Sequence, residues 1–199
     1  MGFATDVFNN IKDCFSFEEK QVVSDNMSFK KGVSGEIFIT MKSDTEEQKF
    51  HIKNIIVDSA SILAARLFKA AGTGGSDEPL HGAFCLALGA GNPSWDPFNP
   101  PAPSATTTIL ESELIRKQFS SVNYITPLGA VSTTPTNIVD FTTFFSESEA
   151  ANSALMEMGL FGGDSTLSTN SGTMISYRTF KVLNKSSTST LTIVWRLTF

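Results

Sequence analysis

The clearest pattern in the chain is the alternation at 191–199. Leu191, Ile193, Trp195, Leu197 and Phe199 fall on one side, and Thr192, Arg196 and Thr198 on the other. A period of two with β-branched and aromatic residues predicts a half-buried strand. The stretch 173–183 before it has the same character, and 183–188 is a polar connection of hairpin length, so 173–199 reads as a terminal β-hairpin.

The same reading finds strands at 36–41 and, after the polar turn 43–46, at 49–57. Residues 83–89 form a continuous apolar run, which predicts a strand buried on both faces. Residues 138–145 and 155–161 read as further strands, with Gly159 marking a bulge or a close backbone approach. Residues 109–118 read as a short helix or a turn leading into a strand, and 146–152 as an acidic turn. Asp58 or Ser59 can cap a helix over Ile62, Leu63, Leu67 and Phe68, with Gly72 as its stop. The sum is about seven or eight mostly antiparallel strands with one or two short helices, a mainly β chain predicted to fold as an antiparallel β-sandwich.

Two segments break the pattern. At the N-terminus Phe3, Val7, Ile11 and Phe15 recur every fourth residue with Phe8 beside them, which predicts an amphipathic helical arm over residues 1–30. Its apolar stripe either packs on the protein's own sheet or docks on a neighbouring subunit. Residues 31–199 then form the sandwich domain. Within it, 92–108 contains Pro93, Pro97, Pro100, Pro101 and Pro103, which exclude helix and central strand. A long ordered loop pinned by Trp95 and Phe98 is expected. With Phe3, Val7, Phe8, Ile11 and Phe15, these two aromatics make up the candidate intersubunit contacts.

Composition narrows the function classes. The chain has 199 residues, 41% of them apolar, and a net charge of −5. No Lys or Arg occurs between Lys117 and Arg178, which argues against nucleic-acid binding. No apolar run approaches the roughly 18 residues of a membrane span. Cys14 and Cys85 are far apart in unlike surroundings and read as two free thiols.

Candidate chemistry is sparse. His51 lies in a strand pattern and His81 in a loop, and neither has a Cys, Asp or Glu at metal-ligand spacing. Cys85 in its apolar run reads as a small core residue rather than a nucleophile. Gly89-Ala90-Gly91 follows a strand but completes no phosphate-loop motif. The pairs Glu111/Glu113 and Glu147/Glu149 read as solvated carboxylates. No catalytic residue, metal ligand, cofactor or small-molecule substrate is expected, and the profile is that of an assembly component rather than an enzyme.

Five segments carry a resemblance. These are 54–58 leading into a helix, 86–91 followed by Trp95-Asp96 and a Pro/Thr stretch, and Leu110-Glu111-Ser112-Glu113-Leu114-Ile115-Arg116-Lys117 with its L-x-x-E-x-x-R-K spacing. Glu157-Met158-Gly159-Leu160-Phe161 has the form E-x-G-L-F, and 172–185 with 191–195 closes the series. Their order over roughly 50–199 resembles the neck, collar and fibre-associated β-proteins of tailed-bacteriophage virions. That resemblance implies a non-enzymatic virion component made in the host cytoplasm, a symmetric oligomer whose partners are its own copies and other virion proteins. Arg116, Lys117 and Lys185 are expected to form exposed ion pairs with nearby carboxylates, each contributing only about 0–1 kcal/mol. A host-surface or carbohydrate-binding module, with Trp95, Phe98 and Tyr124 stacking on sugars, is the alternative, as is a capsid decoration protein.

Overall fold

The structure is a computed structural model and describes residues 32–73, 79 and 81–199. The expected arm over 1–30, with Phe3, Val7, Phe8, Ile11, Phe15 and Cys14, lies outside the described residues.

Alternation builds the first hairpin. Strands β1 (Ser34–Lys42) and β2 (Glu47–Lys53) pair antiparallel, and the Ser43 N–H donates to the Glu46 carbonyl at 2.8 Å across their turn. The single return strand expected over 49–57 is in fact two. The chain breaks at Asn54, and β3 (Ile55–Ile56) joins a different sheet. Asn54 forms the corner, with its N–H donating to the Gly35 carbonyl at 3.3 Å and its side-chain amide donating to Ser176 Oγ. A side chain at position 35 would collide with the Asn54 amide, so Gly35 permits the close approach.

Helix α1 (Asp58–Thr73) follows, with Asp58 in its first turn, where a carboxylate suits the helix dipole. Gly72 falls inside the helix rather than just beyond it, a shift of the size usual at helix ends. The remaining strands are β4 (His81–Gly89), β5 (Glu113–Gln118), β6 (Ser121–Ile125), β7 (Val131–Ser132), β8 (Ile138–Phe145), β9 (Ser153–Gly163), β10 (Thr173–Lys185) and β11 (Thr190–Thr198). Eleven strands among the described residues exceed the seven or eight expected. The surplus is β3, β6 and β7, each five residues or shorter.

The strands form two antiparallel sheets, A in the order β2-β1-β11-β8-β6-β7 and B in the order β3-β10-β9-β4-β5. The fold is mainly β and sandwich-like, as expected. The terminal hairpin is not found. Strand β10 lies in sheet B and β11 in sheet A, so the polar link 186–189 arches from one sheet to the other. Strand β11 instead sits between β1 and β8. Its inward residues Leu191, Ile193, Trp195 and Leu197 are buried in the core between the sheets.

Two cores result. The larger lies between the sheets and includes Ile37, Ile39, Leu86, Leu88, Leu160 and Trp195. The smaller lies on the far side of sheet B, where Val57, Cys85, Ala87, Leu110, Phe161 and Tyr177 pack together. The run 83–89 therefore is buried on both faces, Leu86 and Leu88 facing one core and Cys85 and Ala87 the other. Helix α1 packs against β10 and β4 on this second side.

Candidate functional site: the proline loop and its latch

The prolines of 92–108 cannot join a strand ladder, and the loop uses its carbonyls instead. Strand β3 covers β10 only at Ser176 and Tyr177. Farther along that edge, Thr179 Oγ1 donates to the Pro101 carbonyl at 2.6 Å and the Val182 N–H donates to the Pro97 carbonyl at 2.8 Å. The Asp58 N–H, at the start of α1, donates to the Ala105 carbonyl at 2.9 Å. The loop thus covers a sheet edge that would otherwise invite pairing with another chain.

Local turns stiffen it. Asn92 Oδ1 accepts from the Ser94 N–H at 3.0 Å, and Asp96 Oδ1 accepts from the Phe98 N–H at 2.9 Å. The expected pins divide. Trp95 is half-buried with its ring over Gly91, where an added Cβ would lie 2.5 Å from Trp95 Cε3 and the backbone has a φ of +73°. Phe98 pins nothing and stands 72% exposed.

The loop's base is held by Glu157, a fully buried residue of β9. Its Oε1 accepts from the Ser112 N–H at 2.8 Å and the Gly91 N–H at 3.2 Å. Its Oε2 accepts from the Glu111 N–H at 3.1 Å and from the Tyr177 hydroxyl at 2.8 Å. Three backbone donors from the two ends of the loop therefore meet one carboxyl group, which satisfies both partners in a place water does not reach. Burial, with the Glu157 carboxylate beside it, pushes the Tyr177 phenol far above its usual range, so it stays protonated and can donate to Glu157. An added Cβ on Gly89 would lie 2.5 Å from Glu157 Oε1, so this glycine makes room for the carboxyl group.

A second lock adjoins the first. Arg116 Nε and Nη2 donate to Glu113 Oε1 and Oε2 at 2.6 and 2.7 Å, a two-pronged pair with both side chains 1% exposed. Arg116 Nη1 donates to the Ser171 carbonyl at 2.9 Å and to Ser171 Oγ at 3.0 Å, while the Asn170 N–H donates to Glu113 Oε2 at 3.1 Å. The guanidinium also lies 4.6 Å from the Phe161 ring centroid. Burial pulls the Arg116 pKa down, and the Glu113 carboxylate more than offsets this, leaving it raised.

The expected exposed pairs are corrected accordingly. Arg116–Glu113 is buried, not solvated. Lys117 pairs with Glu149, at 2.6 Å, rather than with Glu111 or Glu113. Lys185 is buried, and its Nζ donates to the Glu147 carbonyl at 3.1 Å.

The two signature elements meet here. Leu110 and Gly159 are in contact, since a Cβ on Gly159 would lie 3.3 Å from Leu110 Cδ2 and 2.8 Å from Phe161 Cε2. Glu157 grips the backbone of 111 and 112, and Arg116 stacks on Phe161. Of the two sequence readings of Gly159, close approach is the one found. Glu157 was read from sequence as the first residue of the E-x-G-L-F element but not as a latch, and Tyr177 was given no role, although a charged residue between Met156 and Met158 in an apolar strand was a legible sign.

The remaining candidates are dispersed. His51 is exposed on sheet A and stacks on Phe38 at 4.4 Å between centroids. His81 is exposed at the start of β4 and stacks on Phe84 at 5.0 Å. Cys85 is free and buried, and burial pushes its thiol up to about 11. Tyr124 is on β6 of sheet A, whereas Trp95 and Phe98 belong to the loop on sheet B, so the three aromatics form no common platform. Among the described residues no group of three His, Cys, Asp or Glu side chains could hold a metal ion, and no helix is long and apolar enough to cross a membrane. Compared with protein-family models and with curated proteins, the chain matches none.

Proposed function

We propose that this chain is a non-enzymatic structural component of a bacteriophage virion, working as a symmetric oligomer in the neck, collar or fibre-attachment region. The supporting observation is how the resembling motifs are used. Glu157, Gly159, Phe161, Leu110, Glu113 and Arg116 all serve a buried latch that fixes a loop. The latch carboxyl is fully buried and taken up by four donors. A held loop presenting an exposed Phe98 suits contact with a neighbouring subunit. The partners are copies of the chain and other virion proteins, and the place of action is the particle. Antibody labelling of purified particles, read by negative-stain microscopy, tests this. Labelling at the neck or fibre base is expected, and absence of the chain from purified particles would sink the reading.

One observation favours a second reading, a carbohydrate- or host-surface-binding module. The β1–β2 turn and the 186–189 arch enclose an open cleft of about 440 Å³ lined by hydroxyl, amide and carboxylate groups, including Ser43, Asp44, Gln48, Asn184 and Thr188. Glycan-array binding lost in Asn184→Ala, with an unchanged melting temperature, would support it.

A further inference from the structure

Helix α1 packs on β10 and β4 of sheet B, which leaves the outer face of β2-β1-β11-β8 in sheet A without a packed helix among the described residues. The side chains of that face are arranged in rows across the strands, fixed by the ladder register. In the first row Lys53 is opposite Glu36, Glu36 opposite Arg196, and Arg196 opposite Asp140. Read across four strands, the charges run plus, minus, plus, minus. The second row is His51, Phe38, Val194 and Thr142, and the third is Lys49, Thr40, Thr192 and Phe144.

An alternating row of four has a particular symmetry. Turned about a two-fold axis parallel to the strands, between β1 and β11, it presents Glu36 to Arg196 of a second copy, while Lys53 comes over Asp140, which lies buried in its pair with Arg196. The other rows match under the same operation. Phe38 meets Val194, Thr40 meets Thr192, and Lys49 meets the face of Phe144, a cation–π arrangement. A two-fold contact requires a self-complementary patch, and this face is one in all three rows.

We propose that the outer face of sheet A is a homodimer interface, with a second copy of this chain packed face to face about that axis. The proposal rests on the reading of the chain as self-assembling and names a surface for it. With strands about 4.8 Å apart and same-face residues about 6.8 Å apart along each, the twelve residues offer roughly 390 Å² per copy. The standard protein interface is nearer 800 Å² per partner, so the contact is a weak one, strengthened in an assembly by repetition. The Arg196–Asp140 pair, at 2.7 and 2.8 Å, with Arg196 lying 5.1 Å from the Phe38 ring centroid, holds the central charges in place before a partner arrives.

The test uses the full chain with Cys14→Ser, which leaves buried Cys85 as its other cysteine. One preparation adds His51→Cys and another adds Thr142→Cys, both on the outer face of sheet A and on strands three apart. The two are treated with a short bis-maleimide, separately and mixed. The two-fold places residue 51 of one copy opposite residue 142 of the other, so the mixture should give a covalent dimer at least fivefold above either preparation alone. Adding Glu36→Lys to both should reduce that yield, because an ammonium then faces Arg196. Equal yields from mixed and single preparations overturn the proposal. So does a dimer that appears only after residues 1–31 are removed, because the occupant is then that segment. Particle labelling is a separate readout. A chain present in virions but without the mixed cross-link loses this face and keeps the virion reading, and the reverse result does the opposite.

Discussion

The two outer faces of the sandwich handle polar groups in opposite ways. On sheet B, the helix and the proline loop cover the strands, and the charged groups of the latch are matched: Glu157 with four donors, and Arg116 with Glu113 and the Ser171 carbonyl. On sheet A several charges remain near water, in the cross-strand pair His51–Glu36 at 3.6 Å and the same-strand pair Lys49–Glu47 at 3.2 Å. Buried donors left unmatched each cost about 1–3 kcal/mol, whereas exposed pairs contribute only about 0–1 kcal/mol. The same residue types therefore carry very different weight on the two faces, and a charge in the sequence says little until its cover is known.

The sharpest way to break the contrast is at Glu157. Glu157→Ala leaves three N–H groups and the Tyr177 hydroxyl without their acceptor, and a loss of about 3–5 kcal/mol in urea unfolding is expected. Limited proteolysis should show new cleavage within 89–112. If stability stays within about 1 kcal/mol of the parent, the latch is not what holds the loop.

Next comes the Arg116 lock. Arg116→Met strands the buried Glu113 carboxylate and should cost about 3 kcal/mol, while the double change Arg116→Met with Glu113→Leu should cost clearly less, since no unpaired charge remains. A double mutant at least as unstable as the single would contradict this account. Gly159→Ala forces a methyl group against Phe161 and Leu110 and should cost about 1–3 kcal/mol by the same measurement.

Acid supplies a smaller effect. The Lys117 ammonium, bonded to Glu149, holds that carboxyl below its ordinary value, with the Ser146 N–H adding to this against an opposing burial contribution. A depressed folded-state pKa gives stability that is present above the unfolded-state pKa and lost as pH falls through the folded one. The parent should therefore lose slightly more stability than Glu149→Gln between neutral pH and the acid side of the carboxylate range, by about 0.5 kcal/mol. Identical pH profiles would remove Glu149 from the account. The smallest effect is expected on sheet A, where Lys49→Ala should shift unfolding by less than about 0.5 kcal/mol.

Legibility in the sequence followed the same division. Strand β8 (Ile138–Phe145) was read with its observed bounds, and β11 and β4 nearly so, because burial on one or both faces writes itself into local hydrophobic pattern. Strand β5 was ambiguous with a helix because Leu114, Ile115 and the charges around them satisfy either period, and pairing with β4 decided it. Strands β6 and β7 were missed, since Val122, Tyr124 and Val131 remain exposed and leave weak alternation. The arch between β10 and β11 was read as a hairpin because a short polar link looks the same whether the next strand pairs alongside or crosses to the facing sheet. The latch was hidden for another reason: Glu157 and its partners Gly91 and Ser112 lie 66 and 45 residues apart, and no local pattern records such a meeting.

The central place of β11 in sheet A also sets an order of events. Ser34 is opposite Thr198, and Ile138 is opposite the same residue from the other side, so the strand that joins β1 to β8 is the last of the eleven to leave the ribosome. Until it arrives, the β1–β2 hairpin has no neighbour and Ile37 and Ile39 have no finished sheet around them. Closing a connection of that length is entropically slow, and a nascent chain waiting for it carries open strand edges. The chain is thus most exposed to aggregation in the interval between the synthesis of β8 and that of β11, and chaperone dependence should be greatest there.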